Sequence, residues 1–472
     1  MIVRPYKRTP APPTVALMLD TGAVVDEHGD RLDFDTWPAG TRVWASYDTV
    51  RNLVNAGRGE AVCWNGEEIH WRHARLDEDG WTPRGSDVHV LKLPFSDDRH
   101  ELTIRALVRW RDWLASWGAA PSGTTGSAAW SLLRATLERD LFTSEPFKGC
   151  PPLRATIGGR QALGPGGKGV FAGRLEQWDL PAAYASELGE LPYGGHWVRS
   201  GDLAGVERDP DWWAGENRPV FVRAVVSVPE LELGPLPRRP RSRRSPQLVL
   251  GLGCEYPVAT RLQGVWTWQE VLAAEAAGAR VIKLLEVYGH FSGGRRPFER
   301  WWEAVQEGRR MPGLAGVLAK MTGNALWGRF CMDSRGGQRT IRSRGSRRML
   351  SRAMVFRGGQ PPAHDLAETV SGRVRARLYG AMADAGEQLV CAHTDGLWLR
   401  KSTLSTGLVD KGWRLKQSAS RLEVLSPQVL RYWPRPARED APWVVFAGVP
   451  ASEADGAFRE AWGRAGMETV AA

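Results

Sequence analysis

The chain has 472 residues, 42% hydrophobic and 25% charged, which implies two to four domains and is too apolar for a disordered protein. Lys and Arg number 63 against 53 Asp and Glu, a net charge of +10, and only nine of the 63 are lysines. That balance points to a polyanionic partner, nucleic acid first, or else to a compositional bias shared with the abundant Ala, Gly and Trp.

No stretch approaches the roughly 18 consecutive apolar residues of a membrane span. The opening MIVRPYKRTPAPP has no apolar core of a secretory signal, so a protein of the cell interior is expected. Cys63, Cys150, Cys254, Cys331 and Cys391 stand singly, without a C-x-x-C pair. Buried free thiols are expected, rather than a zinc site or a disulfide framework.

In chain order, the first readable helix is 101–118, where Leu102, Ile104, Leu107, Val108, Trp110 and Leu114 form a stripe that Gly118 ends. GPGGKG (164–169) marks a break. An alternating run then leads to Asp179, and Pro181 suits the first turn of a helix. PLPRRPRSRRSP (235–246) holds five arginines and four prolines. It reads as an exposed loop, either merely solvated or touching phosphates. Thr267 precedes Glu270 by three, a capping-box spacing, in a helix closed at Gly278. Residues 298–310 are amphipathic and stop before Pro312; 315–330 reads as a helix despite internal glycines. SRGGQRTIRSRGSRR (334–348) suits a basic hairpin or arm. A long helix at 365–386 is followed by short strands, 388–393 and 397–400, around a turn at Thr394, Asp395 and Gly396.

Three segments carry chemistry. Asp179, at a strand end beside a helix start, suits a metal ligand, but taken alone it reads first as a helix N-cap. Lys320, Asn324 and Gly328 recur every four residues and share one helix face. A lysine there meets a phosphate or is simply a surface lysine. Arg309 lies eleven residues before Lys320, on one helix only if the chain runs through Pro312. Asp395 at a hairpin tip exposes a carboxylate for a metal or serves only the turn.

Taken together and in order, these segments resemble the family B DNA polymerases, in particular the protein-primed kind of bacteriophages and linear plasmids. The family's first palm motif, D-x-x-S-L-Y-P-S, is similar to DLPAAYAS at Asp179, Tyr184 and Ser186. Its fingers motif, K-x-x-x-N-S-x-Y-G, is similar to KMTGNALWG at Lys320, Asn324 and Gly328, with Ala325 for Ser and Trp327 for Tyr. Its second palm motif, Y-x-D-T-D-S, meets CAHTDG only at Thr394 and Asp395; His393 replaces the first Asp and Gly396 the Ser. GGR (158–160), LPYG (191–194) and FAGV (446–449) resemble further family segments. RYW (431–433) falls at the Lys-x-Tyr primer motif, with Leu430 in the lysine slot. The resemblance spans about residues 100–450.

The resemblance implies an α+β multidomain chain: a right-hand polymerase with palm, fingers and a reduced thumb, behind an N-terminal exonuclease-like (ribonuclease H-like) domain. The corresponding division is 1–163 for the exonuclease-like domain, 164–234 and 365–450 for the palm and 235–297 for an inserted region. Fingers fall at 298–333, an arm at 334–364 and a thumb remnant at 451–472. Two Mg²⁺ ions, replaceable by Mn²⁺, are expected on Asp179, Asp395 and the carbonyl of Leu180, activating a primer 3′-oxygen and holding a triphosphate. Lys320, Asn324, Gly328 and Arg309 would contact the nucleotide, with Lys320 neutralising charge on its phosphates. Tyr184 would lie under its sugar and exclude a 2′-hydroxyl. Arg431, Tyr432, Arg238, Arg239 and Arg241 would contact DNA.

The implied partners are template-primer DNA, dNTPs and a terminal priming protein. The setting is a monomer in the bacterial cytoplasm, in phage or mobile-element replication. Three exonuclease motifs are matched only in part, through Asp33 and Asp35, Glu68, and Asp112. Val108 stands at the usual tyrosine, so an inactive exonuclease scaffold is expected. Two rivals remain: a catalytically dead DNA-binding protein on a palm scaffold, motivated by His393, and a primase or repair polymerase.

Overall fold

The computed structural model describes residues 15–18, 24–32, 42–46, 60–64, 68–77, 80–91, 100–119, 125–137, 159–200, 210–238, 255–331, 338–341, 351–352, 363–400, 405–435, 442–446 and 451–467. They form two compact units, Met1–Pro146 with Pro297–Pro362, and Phe147–Arg296 with Ala363–Ala472. Among the described residues no helix is long and apolar enough to cross a membrane.

The first unit is built on a nine-stranded sheet. Its order is Ser351–Arg352, Gln338–Ile341, Glu60–Trp64, Glu68–Asp77, Gly80–Leu91, Arg42–Ser46, Val15–Met18, Val24–Asp26, Arg31–Leu32. Helix His100–Ser116 buries Ile104, Leu107, Trp110 and Leu114, as its stripe predicts, while Val108 is only half-buried. Trp110 meets Trp44 edge-on at 6.3 Å and donates through Nε1 to Thr322 Oγ1 at 3.1 Å.

Helices Glu299–Arg309 and Leu314–Cys331 are separated by a turn at 310–313. Arg309 and Lys320 therefore do not share one helix, because the chain breaks around Pro312. Glycine inside a helix costs backbone entropy, and here it is offset by close approach. A Cβ on Gly323 would stand 2.7 Å from Val305 Cγ1, and one on Gly308 2.8 Å from Ala319 Cβ. The segment expected as fingers thus clusters with the N-terminal residues. The expected basic arm contributes a hairpin, Gln338–Ile341 with Ser351–Arg352, whose first strand pairs with Glu60–Trp64.

The second unit holds a seven-stranded antiparallel sheet. Its order is Trp443–Phe446, Val429–Arg435, Arg414–Ser426, Gly169–Asp179, Gly396–Arg400, Leu389–Thr394, Arg160–Leu163. GPGGKG is therefore a turn inside this unit and not a domain boundary. Strand Arg160–Leu163 pairs with Leu389–Thr394, and a Cβ on Gly164 would stand 1.8 Å from the Leu389 carbonyl oxygen.

One sheet face, with Trp178, Ala392, Leu397 and Leu399, packs on Val374, Leu378 and Met382 of helix His364–Ala385. The region expected as an insertion, 235–297, is not separate. Its strands Thr260–Thr267 and Arg280–Phe291 join Val220–Val228 and His196–Arg199 in a four-stranded sheet. The start of the Arg/Pro loop is likewise inside: Leu236 is fully buried, and Trp266 Nε1 donates to the Pro237 carbonyl at 2.9 Å. Helix Ala451–Arg464, expected as a thumb remnant, buries Phe458 and Trp462 beside Leu425 of the seven-stranded sheet.

Residues 366–375 of the long helix are buried on all sides. Burial of charge demands a partner. Arg375 donates through Nε to Glu270 at 2.8 Å and through Nη2 to Glu368 at 2.7 Å, all three nearly inaccessible. Glu270 also closes the capping box at Thr267, the helix start read from the spacing. Burial pushes the Glu270 carboxyl up, but the Arg375 charge and the Arg375 and Thr267 hydrogen bonds outweigh it and hold it below its ordinary range. Removing Arg375 strands two buried carboxylates. Arg375→Ala is expected to lower unfolding free energy by about 3–5 kcal/mol in urea titration, with partial recovery when Glu270→Gln and Glu368→Gln are added.

His290 is 2% exposed, stacked on Tyr193 at 4.5 Å and edge-on to Trp197, while both those residues donate to Asp365. Burial pushes its imidazole down to about 4, opposed by Asp365 and helped by His196. Below the ordinary value of 6.5 the unfolded chain takes up a proton that the folded one refuses, so this stabilisation is present at neutral pH and lost on acidification. Stability should fall by about 2 kcal/mol between pH 8 and pH 5 through this group. His290→Gln should remove that component of the pH dependence of urea unfolding.

Candidate active site

Strand Gly169–Asp179 ends at Asp179 in the middle of the seven-stranded sheet. Its neighbour Gly396–Arg400 starts one residue after Asp395, and Gly396 pairs directly with Asp179. The Leu180 N–H donates to the Asp395 carbonyl at 2.8 Å. Two carboxylates 216 positions apart in sequence therefore sit at one end of adjacent strands, both half-buried.

The N-cap alternative for Asp179 does not hold. The following helix, Ala183–Gly189, begins two residues beyond Pro181, and its N-cap is Ala182, at φ 53° with no side-chain cap bond. Leu180 turns its side chain into the core, and its carbonyl accepts from Ala183 N at 3.3 Å. A second lone pair remains on that oxygen.

The hairpin is tight. Thr394 adopts φ 55°, its hydroxyl donates to Asp395 Oδ1 at 2.8 Å, and the Asp395 N–H donates to the His393 carbonyl at 2.8 Å. Gly396, where the family pattern has Ser, has a local reason. A Cβ there would stand 3.2 Å from the Trp178 carbonyl and 3.3 Å from Asp179 Oδ1. A larger residue would press on the first carboxylate.

Cross-strand partners share a face. The ladder lines up Arg414, Asp179, Gly396, His393 and Gln161 in one row. His393 thus lies two strands from Asp179 in the same row. Burial pushes its imidazole below the ordinary range, with Asp395 opposing and Lys416 adding. Two residues along the central strand, Gln177 accepts from Gln417 Nε2 at 2.7 Å, and Gln417 accepts from the Tyr432 hydroxyl at 3.3 Å. Arg414, Gln177 and Gln417 carry no local motif; only the register places them here. Cys391, on the strand leading to His393, is a buried free thiol pushed up to about 12 by burial.

Among the described residues no group of three or more His, Cys, Asp and Glu gathers as a metal cage. The oxygen donors here are two carboxylates and backbone carbonyls. That set fits a hard cation such as Mg²⁺, which takes one or two carboxylates and completes its shell with water and substrate phosphates. It does not suit a closed structural site.

Tyr184 is half-buried on helix Ala183–Gly189, packed against the core that holds Trp178 and Leu180. In the other unit, Lys320 and Asn324 are exposed on helix Leu314–Cys331, with Gly328 half-buried. The opposite face of that helix buries Ala315, Leu318, Thr322 and Leu326. The spacing of four is thus realised as an outward face. Arg309 is half-buried at the end of its own helix.

The other expected residues are placed as follows. Arg431 is 8% exposed, ion-paired to Glu423 and laid over Phe458 at 5.0 Å. Tyr432 is buried, with its ring 5.2 Å from that of Trp398. As consecutive strand residues they point to opposite faces, and both are buried because both faces are covered, by Phe458 of helix Ala451–Arg464 on the Arg431 side and by the cluster that holds Trp398 on the Tyr432 side. Neither offers a free surface for DNA. Arg238 is exposed but pairs with Glu255 through backbone and side chain; Arg239 and Arg241 lie outside the described residues. So do Asp33 and Asp35. Glu68 opens strand Glu68–Asp77, and Asp112 is an exposed helix residue bound by Arg111 Nε at 2.9 Å.

Neither any family model nor any curated protein matches the sequence. Solved structures do. The phi29 DNA polymerase complexed with primer-template DNA and incoming nucleotide substrates is 12% identical, aligned over 94% of both chains with a TM-score of 0.60. The same polymerase in an orthorhombic crystal form (13%, 93% of both chains, 0.57) and with single-stranded DNA (13%, 94%, 0.56) is equally similar. The chain has a phi29-polymerase-like fold. At such low identity the likeness is one of fold, and the chemistry has to be argued from the residues.

Proposed function

We propose that the protein is a template-directed DNA polymerase that adds deoxynucleotides to a primer 3′-hydroxyl. The observation that carries this reading is the convergence of Asp179 and Asp395 on adjacent strand ends. Two bound Mg²⁺ ions, for which Mn²⁺ substitutes, would supply activation of the primer 3′-oxygen and charge neutralisation on the triphosphate. Asp179 and Asp395 hold them, helped by the Leu180 carbonyl. Thr394 orients Asp395 through its hydroxyl, and Gly396 leaves room for the Asp179 carboxylate. Tyr184 lies beside the sugar. Lys320, with Asn324 and Arg309, binds the triphosphate.

By likeness to the phi29 enzyme, whose structures hold primer-template DNA, single-stranded DNA and nucleotides, template-primer DNA and dNTPs are the substrates. Protein priming, a monomeric state and replication of a phage or mobile element in the bacterial cytoplasm belong to the same reading. One observation favours a second: His393 stands beside Asp395 where the family pattern has a carboxylate, which removes a negative charge and suits a DNA-binding palm without catalysis.

Mg²⁺-dependent primer extension separates the two. Wild type should extend, and Asp179→Ala and Asp395→Ala should each lose roughly a thousandfold or more, the equivalent of several kcal/mol of metal-borne stabilisation. A wild type that binds duplex but extends nothing establishes the second reading.

Lys320→Ala should raise KM for dNTPs and lower kcat, with kcat/KM down roughly 100-fold, because a preorganised cation is lost from the developing phosphate charge. Steady-state kinetics at fixed template-primer measures it; unchanged constants make Lys320 a surface lysine.

The N-terminal unit is read as an exonuclease-like scaffold without activity. Asp112 is already paired with Arg111, and Val108 has no hydrogen-bond donor to orient water. Mononucleotide release from a 3′-mismatched primer, with Mg²⁺ or Mn²⁺ and no dNTPs, should stay at background. Robust release abolished by Asp33→Ala reverses that assignment.

A further inference from the structure

We infer that Gly159 is a specificity-determining position for the nucleotide sugar, acting through Tyr184; the inference rests on the polymerase reading above. Gly159 is buried at the start of the edge strand Arg160–Leu163, and its backbone conformation is open to any residue. What excludes a side chain is contact. A Cβ there would stand 2.6 Å from the Tyr184 hydroxyl oxygen and 2.9 Å from both Cα and Cβ of Thr394. The tyrosine therefore rises from the helix that follows Asp179 and seats its hydroxyl against bare backbone beside the hairpin that carries Asp395. Its ring joins the two carboxylate-bearing segments.

The seat cannot retreat. Arg160, the next residue, is 1% exposed, and its guanidinium lies 4.1 Å over the Tyr256 ring and 4.8 Å from that of Tyr379. It donates to the Gly234 carbonyl at 2.7 Å, and its backbone is in register with Thr394. On the far side, Thr394 is held by its bond to Asp395. The ring of Tyr184, on a seven-residue helix, is the part that gives way when Gly159 gains an atom. A nucleotide whose phosphates sit at Asp179 and Asp395 has its sugar against this ring. A wall discriminates a 2′-hydroxyl from a hydrogen only while it is rigid, since a displaced wall leaves room for the extra atom. Gly159 keeps it rigid by leaving the hydroxyl a fitted seat, which makes Gly159 a positioning residue rather than a catalytic one.

The test compares wild type, Gly159→Ala, Tyr184→Phe and the double variant, each verified as folded by thermal unfolding. Single-nucleotide extension with dNTP and with the matching rNTP gives the ratio of kcat/KM values. Gly159→Ala should lower deoxy-over-ribo selectivity at least tenfold, and in the Tyr184→Phe background the same change should alter it less than threefold, because the 2.6 Å contact is gone. Any fall in kcat transmitted through Thr394 should appear in both backgrounds alike. Selectivity unchanged in Gly159→Ala, or lowered equally in both backgrounds, overturns the inference. A wild type that extends no primer fails the polymerase reading itself. The melting temperatures still decide the packing: a larger loss from Gly159→Ala with Tyr184 present supports the seat, and equal losses in both backgrounds overturn it.

Discussion

The pairing of Gly396 with Asp179 is the contact on which the site depends. An antiparallel register brings strand ends together wherever they lie in sequence, and here it sets the end of one strand beside the hairpin tip of another. The Leu180 N–H closing on the Asp395 carbonyl locks that alignment. A slip of one residue would turn every side chain to the opposite face, sending Asp179 into the helix-covered core and Trp178 into the site. The hydrophobic alternation that buries Trp178 and Leu175 on opposite faces is therefore also what aims the carboxylate.

Charges buried elsewhere in the same unit anchor the segments around the pair. Arg375 ties the long helix to Glu270, whose other oxygen closes the cap of helix Trp268–Ala276. Arg160 threads between two tyrosine rings to reach carbonyls at 234 and 235. Buried ion pairs add little net stability when compared with apolar packing, yet they tolerate few alternative arrangements. Both anchors sit on segments that border the carboxylates: the long helix packs under Trp178 and Leu397, and the Arg160 strand pairs with the hairpin. Glycine works beside them. At 159 and 164 its missing Cβ admits a neighbouring hydroxyl or backbone that any side chain would displace, and at 396 a Cβ would press on a carbonyl and a carboxylate.

Several features were legible in the amino-acid order because they are local. The capping box at Thr267, the helix stripe at 101–118, the turn at Asp395 and the four-residue spacing of Lys320 and Asn324 all follow from contacts within a few residues of one another. The domain limits were not legible. A Gly-rich stretch at 164–169 reads as a break, yet it connects two strands of one sheet, and 297–362 clusters with the N-terminal residues instead of forming a separate element. Composition cannot tell a linker from a tight turn, since both need the same backbone freedom. Arg431 and Tyr432 looked like DNA contacts, whereas burial and the Glu423 pair assign them to the sheet interior.

By itself the sequence determined which residues could do chemistry and the order in which they come: Asp179, Lys320, Asp395 and the tyrosine five places after the first. It also determined the helices and turns that carry them, since periodicity and capping act over short range. Only the tertiary structure decided that Asp179 and Asp395 come to neighbouring strand ends, that a tyrosine hydroxyl fills the side-chain space of Gly159 and a carboxylate lies close to that of Gly396, and that His393 stands in the same row as Asp179. Those facts depend on strand register and on close approach between segments far apart in the chain, and no local pattern encodes which strand will pair with which.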